Sequence, residues 1–190
     1  MISEHKNSCD WPSNDPLMIE YHDNEWGVPL HDDRKLFEYI VLDAFQAGLS
    51  WKTVLHKREN FRKALDNFEA EKIAAYTQDK VDELMTDAGI IRNKAKILAT
   101  ITNAQAFLRI QKETGSFDAF IWKFTAGTTI YNEWDSLSQL PAKSAESDTM
   151  SKALIKEGFK FVGSTICYAF MQAAGMINDH LTKCHLYKKM

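Results

Sequence analysis

Two cysteine–histidine pairs lie at opposite ends of this 190-residue chain. Cys9 and His22 have 12 residues between them, whereas His180 and Cys184 have 3 between them and fit one turn of a helix. Two thiolates and two imidazoles are the ligands of a closed tetrahedral zinc site. If all four bind one ion, the fold must bring both ends of the chain together. The alternative is that Cys184 is a surface thiol and the histidines are unrelated to it.

The other cysteine and histidine residues leave few further ligands. Cys167 lies in the apolar segment STICYAFMQAAG, which indicates a small buried side chain. His5 and His185 flank the four residues and are alternative ligands. Three cysteines are an odd and sparse set, which argues against a secreted disulfide framework and predicts a cytoplasmic protein.

The chain has no feature that predicts a membrane segment. The first residues, MISEHKNSCDW, are polar, and no stretch approaches the roughly 20 apolar residues of a membrane-spanning helix. The net charge of −3 does not attract nucleic acid as a whole, although a local basic patch still can. Charge alone therefore leaves the partner open.

The proline distribution and the apolar spacing predict an all-α fold. Three of the four prolines fall in the first 29 residues, so long helices can occupy the middle. Apolar residues from Lys35 to Ala47 recur at helical spacing, after Asp32 and Asp33, either of which can cap the helix. Residues 125–147 are predicted as a long loop with a short extended piece at Thr128–Tyr131. Further helices are predicted over 51–65, 69–76, 78–88, 92–112, 117–124, 148–157 and 163–176.

The segment ELMTDAGIIRNKAKILATI, residues 83–101, reads as two amphipathic helices joined by a sharp turn at Gly89. Ile90 and Ile91 are apolar anchors, and Lys94 belongs to a basic group that follows the turn. A helix-hairpin-helix of this kind presents backbone N–H groups to a DNA phosphate without reading the base sequence. An ordinary helical hairpin with a solvated basic face fits the pattern equally well.

Four large aromatic residues of the N-terminal third, Trp11, Tyr21, Trp26 and Trp51, lie in or beside predicted loops. Flat side chains at such positions suit stacking on a nucleic-acid base. The alternative is that they belong to the core.

Asp43 is the only charged residue between Glu38 and Lys52, in the middle of a predicted apolar helix. Burial of an unpaired carboxylate costs several kcal/mol or raises its pKa until the group is neutral. Either a protein partner or a donor on a ligand should therefore meet Asp43. The alternative is a structural aspartate bonded to the backbone, a tyrosine or a tryptophan N–H.

These residues carry a resemblance to the 3-methyladenine DNA glycosylase I family over about 175 of the 190 residues. It is densest in DPLMIEYHDNEWGVPLHDDRKLFEYIVLDAFQAGLSWKTVLHKRENFRKA, DAGIIRNKAKI and SKALIKEGFKFVGSTICYAFMQAAGMINDH, together with the terminal Cys184. The resemblance implies an all-α helix-hairpin-helix DNA glycosylase fold in a single domain, 1–190. One helical lobe would span about 35–120, and the other about 1–34 plus 121–190. One structural zinc ion, bound by Cys9, His22, His180 and Cys184, would join the two ends of the chain.

The resemblance also implies an activity. The family flips N3-methyladenine out of alkylated double-stranded DNA and hydrolyses its N-glycosidic bond, releasing free 3-methyladenine. We expect a monomer. Asp43 would be the catalytic carboxyl that recognises the base. Tyr21 and Trp51 would contact or stack on the base, and Trp11 and Trp26 would lie around the pocket. The DNA contacts would be Gln46, Gly48 and Leu49 in the gap that the base leaves, with Leu49 as wedge, and Gly89, Ile90, Ile91 and Lys94 on the backbone.

Two positions refine this expectation, and one of them, Asp43, departs from the family pattern. Asn93 stands where bifunctional relatives of this superfamily have a Schiff-base lysine, so we expect no strand-cleaving lyase activity. Asp43 stands where the family has glutamate, and its shorter side chain withdraws the carboxylate from the base. One alternative is therefore a weakened glycosylase that binds damaged or abasic DNA without cutting it. A zinc-stapled interaction protein without a nucleic-acid role is a third, weaker one.

Overall fold

The computed structural model describes residues 8–188, so the alternative ligand His5 lies outside the described residues. Ten α-helices form this part of the chain, which confirms the predicted all-α class. They are α1 (Pro16–Asn24), α2 (Asp33–Gln46), α3 (Trp51–Leu55), α4 (Arg58–Ala64), α5 (Ala70–Ala74), α6 (Gln78–Thr86), α7 (Lys94–Thr114), α8 (Phe117–Trp122), α9 (Ala145–Lys156) and α10 (Ser164–Ala173). Short 3-10 turns cover Asp66–Phe68, Lys123–Thr125 and Leu137–Gln139.

Helix α2 is the central element of the fold. The side chain of Asp32 caps it by accepting a hydrogen bond from the backbone N–H of Lys35 at 2.9 Å, as predicted. Every residue from Leu36 to Phe45 is buried, so other elements cover this helix on all sides. A charged residue within this stretch, such as Asp43, is therefore placed inside the protein.

Helix α1 was not predicted, and the expectation that Tyr21 lies in or beside a loop was wrong. The carboxylate of Asp15 accepts hydrogen bonds from the N–H groups of Leu17 and Met18, at 3.1 and 3.2 Å. Pro16 occupies the first helical position, where its missing N–H costs nothing. Tyr21 and His22 consequently lie on one helix. The helix predicted over 51–65 is likewise divided into α3 and α4.

Two short strands connect the long loop to the end of the chain. β1 (Ile130–Tyr131) pairs in parallel with β2 (Ile177–Asn178), so that Ile130 faces Ile177 and Tyr131 faces Asn178. The extended piece predicted at Thr128–Tyr131 is thus present, and its partner follows α10. This pairing holds the loop between β1 and α9 against residues 176–182.

The core consists of one large and one small cluster of buried residues. The large cluster surrounds α2 and includes residues of α4, α7, α8, α9 and α10. The small cluster contains Cys9, Met18, Tyr21, Trp26, Leu55, Leu181 and Cys184, and so joins both ends of the described chain. Among residues 8–188, no helix has the length and apolar character needed to cross a bilayer.

Candidate active site and metal centre

A cavity of about 250 Å³ lies where α1, α2 and α10 meet the turn at Leu137–Gln139. It brings together six of the predicted site residues from four separate parts of the sequence. The lining residues are Trp11, Tyr21, Trp26, Asp43, Gln46, Trp51, Leu137, Leu140, Ala169 and Gln172.

Asp43 supplies the only carboxyl group among the residues that line this cavity. Its side chain is 2% exposed, and Oδ2 has no hydrogen-bond partner among the described residues. Burial therefore raises the pKa of this carboxyl well above its ordinary value. The alternative of a structural aspartate bonded to a neighbour is wrong for Oδ2. A ligand that offers a donor or a positive charge is what this group lacks.

Aromatic rings form the walls around the carboxyl. Tyr21 and Trp51 have ring centroids 5.1 Å apart, and Trp11 lies edge-on to Trp26 at 5.2 Å. The indole Nε1 atoms of Trp11 and Trp51 are buried without a partner among the described residues. Burial, followed by the nearby Asp43 charge, raises the pKa of Tyr21 well above its ordinary value, so the phenol stays neutral. Tyr21 and Trp26 belong to the small core cluster, Trp11 and Trp51 pack against it, and all four line the cavity. Stacking of these rings on a base stays a prediction.

A second wall was not foreseen from the sequence. Leu137 and Leu140 belong to the long loop and reach the cavity, opposite Ala169 and Gln172 of α10. The loop has no apolar periodicity that would have predicted this placement. It carries no titratable group into the cavity, so its contribution is an apolar surface.

Asp179 holds this second wall in place. Its carboxylate is buried and joins the loop to α10. It accepts four side-chain hydrogen bonds, from Asn132 at 2.7 Å, Trp134 at 2.8 Å, Tyr168 at 2.7 Å and Gln172 at 2.7 Å. Because Gln172 lines the cavity and Trp134 precedes Leu137, Asp179 fixes both sides of the second wall.

The predicted wedge segment follows α2 at the mouth of the cavity. Gln46 lines the cavity, and Gly48 has a φ of 79°, a conformation that favours glycine. Leu49 is 45% exposed. An exposed leucine beside a deep cavity is free to enter another molecule.

The predicted hairpin residues lie outside the cavity, between α6 and α7. Ile90 is buried and Ile91 is half-buried, so both anchor the turn as expected. Gly89 does not adopt a left-handed conformation; it allows close packing, because a Cβ there would lie 2.8 Å from Oδ1 of Asp87. Its N–H donates to the same Asp87 oxygen at 2.7 Å and is therefore occupied in this structure. Lys94 is exposed in the first turn of α7.

The four predicted ligands Cys9, His22, His180 and Cys184 meet at one point. All are buried, and their ligand atoms lie within 4.8 Å of one another. The Sγ atom of Cys184 is 3.7 Å from Nε2 of His22 and 3.6 Å from Nδ1 of His180. When a sulfur and a nitrogen bind the same tetrahedral zinc ion, the distance between the two ligand atoms is about 3.6 Å. The geometry therefore fits a metal ion, and His185 is not part of the group.

The surroundings of this group also fit a metal. Nδ1 of His22 is 2.6 Å from the Asp23 carboxylate, and Nε2 of His180 is 3.0 Å from the carbonyl oxygen of Trp26. Such contacts orient metal-binding imidazoles and fix their tautomers. The hydrogen bond between Cys9 and Cys184, with further ones from His180 and His22, holds the pKa of the Cys184 thiol below its ordinary value, against the effect of burial. The same bond and burial raise the pKa of the Cys9 thiol, so Cys184 is the thiolate of this pair before a metal binds. A thiolate is the form that binds a metal.

A larger cavity of about 480 Å³ lies elsewhere, next to Glu25, Glu38, Arg58 and Arg62. Arg58 forms two hydrogen bonds to Glu25, at 2.6 and 2.8 Å, and Arg62 pairs with Glu38 at 2.7 Å. These charges already neutralise one another. The smaller aromatic cavity, with its unpaired carboxyl, is therefore the candidate active site.

Comparison with known proteins gives a consistent result. A sequence model described as methyladenine glycosylase matches residues 11–187. DNA-3-methyladenine glycosylase 1 of Escherichia coli K12 is 51% identical over 179 residues, which are 94% of this chain and 96% of that protein. A crystal structure of 3-methyladenine DNA glycosylase I superposes with a TM-score of 0.93 at 51% identity, covering 95% of this chain and all of that one. The Staphylococcus aureus enzyme, solved to explain its recognition of 3-methyladenine, gives a TM-score of 0.93 at 35% identity, covering 98% and 99% of the two chains.

Proposed function

Because the chain belongs to the methyladenine glycosylase family, we propose that it is a monofunctional DNA glycosylase of base excision repair. It removes 3-methyladenine from alkylated double-stranded DNA. The observation that carries this proposal is the buried carboxyl of Asp43, which has an unpartnered oxygen in a cavity walled by aromatic rings. A flipped purine with a positive charge supplies a donor and a charge for this carboxyl and a flat surface for the aromatic rings.

The reaction does not need a strong nucleophile from the protein. The N3-methylated adenine is cationic in the nucleotide, so the bond between N9 and C1′ is weak, and its electron pair leaves with the base. A water oxygen adds to the oxocarbenium-like C1′ and loses a proton to solvent, which leaves an abasic sugar and neutral 3-methyladenine. Asp43 binds the charged base, while the rings of Tyr21 and Trp51 stack on it, with Trp11 and Trp26 around them.

The DNA would be held at two places. Leu49 inserts as a wedge into the gap that the flipped nucleotide leaves, and Gln46 and Gly48 line that gap; the exposure of Leu49 supports this role. The turn between α6 and α7, with Ile90 and Ile91 as anchors, acts as a helix-hairpin-helix on the DNA backbone together with Lys94. Gly89 contributes close packing of this turn against Asp87.

The metal would be one zinc ion held by Cys9, His22, His180 and Cys184. Two sulfur and two nitrogen ligands in a closed, buried site are typical of structural zinc. The ion would supply a cross-link between the ends of the chain, and the site lacks an open position for substrate. We also propose a monomeric, cytoplasmic protein with the two lobes expected from the sequence, and no lyase activity, because Asn93 caps α7 where a lysine nucleophile would be needed.

The proposal is tested by release of free 3-methyladenine from methylated duplex DNA, with the wild-type protein, Asp43→Asn and Asp43→Glu. We expect wild-type release without strand cleavage, loss of most activity in Asp43→Asn, and retained or higher activity in Asp43→Glu. Unchanged activity in both variants contradicts the role of Asp43. Tight binding of damaged DNA by the wild type without release would instead support the binding-only alternative, which the names of the relatives do not favour.

A further inference from the structure

Phe161 is held in an unfavourable backbone conformation with its ring facing solvent. Its φ is 56°, a left-handed value that a bulky residue adopts only at a cost. Its side chain is 39% exposed, so a large part of the ring remains in contact with solvent. Strained, exposed residues of this kind are concentrated at binding sites.

The backbone on both sides of Phe161 is fixed by buried side chains. The N–H of Lys160 donates to Oδ1 of Asn103 at 2.7 Å, and Nδ2 of Asn103 donates to the carbonyl oxygen of Lys160 at 3.1 Å. On the other side, the hydroxyl of Ser151 donates to the carbonyl oxygen of Val162 at 2.7 Å. The contacts from Asn103 and Ser151 therefore impose the conformation of Phe161.

The ring of Phe161 forms one edge of a shallow groove of about 360 Å³ beside α7. Leu98, on the α7 side, is 42% exposed. No acidic side chain lines the groove, whose residues are Ala95, Leu98, Ala99, Thr102, Lys160 and Phe161. Two exposed apolar side chains next to a lysine suit a ligand along which apolar groups alternate closely with negative charges.

The groove continues the predicted DNA-binding hairpin. Ala95 lies in the first turn of α7, and the exposed Lys94 lies one helical turn before Leu98 on the same face. Lys94 and Lys160 thus flank the two apolar side chains. The backbone of DNA alternates phosphates with the apolar faces of deoxyribose, which matches this order of lysines and apolar groups.

We propose that this groove is a DNA-backbone site, in which Phe161 and Leu98 pack on a deoxyribose while Lys94 and Lys160 bind the neighbouring phosphates. The site extends the hairpin interface along one strand, away from the base cavity. This inference rests on the proposed function, because it requires a protein that binds duplex DNA.

The test uses Phe161→Gly, since glycine accepts the left-handed conformation and removes only the ring. We expect its affinity for a duplex with a non-cleavable abasic analogue to fall about tenfold. The affinity for free 3-methyladenine should stay unchanged. The matched control is Ile155→Ala, which removes another exposed apolar side chain, 57% exposed, on α9 outside the groove. Lys160→Met should lower the salt dependence of DNA binding by about one ion.

Duplex affinity of Phe161→Gly within twofold of the wild type overturns the inference. A parallel loss of affinity for the free base also overturns it, since the effect would then be general. Failure of the proposed function looks different: the wild type would bind duplex DNA, and Phe161→Gly would weaken that binding, but no 3-methyladenine would be released. A wild-type protein that does not bind duplex DNA even at low salt overturns both.

Discussion

The ammonium group of Lys96 donates a hydrogen bond to the carbonyl oxygen of Ala47, at 2.6 Å, where helix α2 ends. A second bond, at 2.8 Å, goes to the carbonyl oxygen of Phe45. Lys96 is buried, and this burial lowers the pKa of its ammonium group. A cation at the C-terminus of a helix is favourable, because the last carbonyl groups lack helical partners. Lys96 therefore connects the first turn of α7 to the segment that carries Leu49.

Replacement of Lys96 by methionine should destabilise the protein and impair excision together. The change leaves two carbonyl groups without their donor, at a cost of about 1–3 kcal/mol measured by urea unfolding. Excision from duplex DNA should fall, because the wedge segment loses its support. Lys94→Met is the matched control, since Lys94 is exposed in the same turn. It should change stability by less than about 0.5 kcal/mol and weaken only DNA binding. Equal stability of both variants would contradict the supporting role of Lys96.

The purified protein should contain one zinc ion per chain, bound at the four buried ligands. Cys184→Ala removes one thiolate and should lower both the metal content and the unfolding temperature. Loss of a structural metal is among the changes that cost more than about 4 kcal/mol. Cys167→Ala is the control: it removes a buried thiol outside the group, so full metal content is expected. Elemental analysis with thermal unfolding distinguishes the two, and full metal content in Cys184→Ala would contradict the proposed site.

The sequence predicted those elements whose signals are local. The apolar spacing from Lys35 to Ala47 predicted α2 to within two residues of its observed start at Asp33, because a buried helix repeats its pattern over several turns. Helix α1 escaped notice because Pro16, which starts it, resembles a helix breaker, and nine residues contain little periodicity. Its absence from the prediction put Tyr21 in the wrong kind of element.

The site was predictable where residue types are chemically unusual for their surroundings. Asp43 in an apolar helix and the two cysteine–histidine pairs near the chain ends are such cases. The structure places Asp43 in the cavity and brings the four cysteine and histidine side chains together. Leu137 and Leu140 gave no such signal, because leucine in a loop has no special chemistry. Their loop is held at the cavity by contacts with residues about 40 positions later in the chain. One example is the hydrogen bond from Trp134 to Asp179, which are 45 positions apart.

Replacement of Asp179 by asparagine should weaken base binding through the second wall. A carboxylate accepts from four donors here, whereas an amide offers one acceptor oxygen, so two of the donors lose their partner. The turn at Leu137–Gln139 should then detach from Gln172, with a lower affinity for free 3-methyladenine and a stability loss of about 1–3 kcal/mol per unpaired donor. Asp135→Asn, which alters an exposed contact of the same loop with Thr182, is the control. A lower unfolding temperature with unchanged affinity would make Asp179 a purely structural residue.

Asp43 should make the stability of the protein depend on pH. In the unfolded chain this carboxyl ionises near its ordinary pKa of about 3.9, whereas in the folded protein burial raises the pKa. Between these two pKa values the folded protein keeps the carboxyl proton that the unfolded chain has lost. The contribution of Asp43 to stability is therefore complete below pH of about 3.9 and is lost as the pH rises towards the raised pKa. Asp43→Asn should consequently be more stable than the wild type at neutral pH, and the difference should vanish near pH of about 4. Thermal unfolding across this range measures it, and a difference that does not change with pH would show that Asp43 is not titrating as expected.

The same ionisation should appear in the pH dependence of excision. The carboxylate form of Asp43 is the one that attracts a cationic base, so kcat/KM should rise with pH through the raised pKa of the free enzyme. Once the methylated base is bound, its positive charge favours ionisation and lowers the pKa of the carboxyl in the complex. The inflection in kcat should therefore lie at lower pH than the inflection in kcat/KM, and both should be absent from the residual activity of Asp43→Asn. Coincident inflections in the wild type would mean that the charge of the base does not reach Asp43, and another group would then have to recognise the methylated purine.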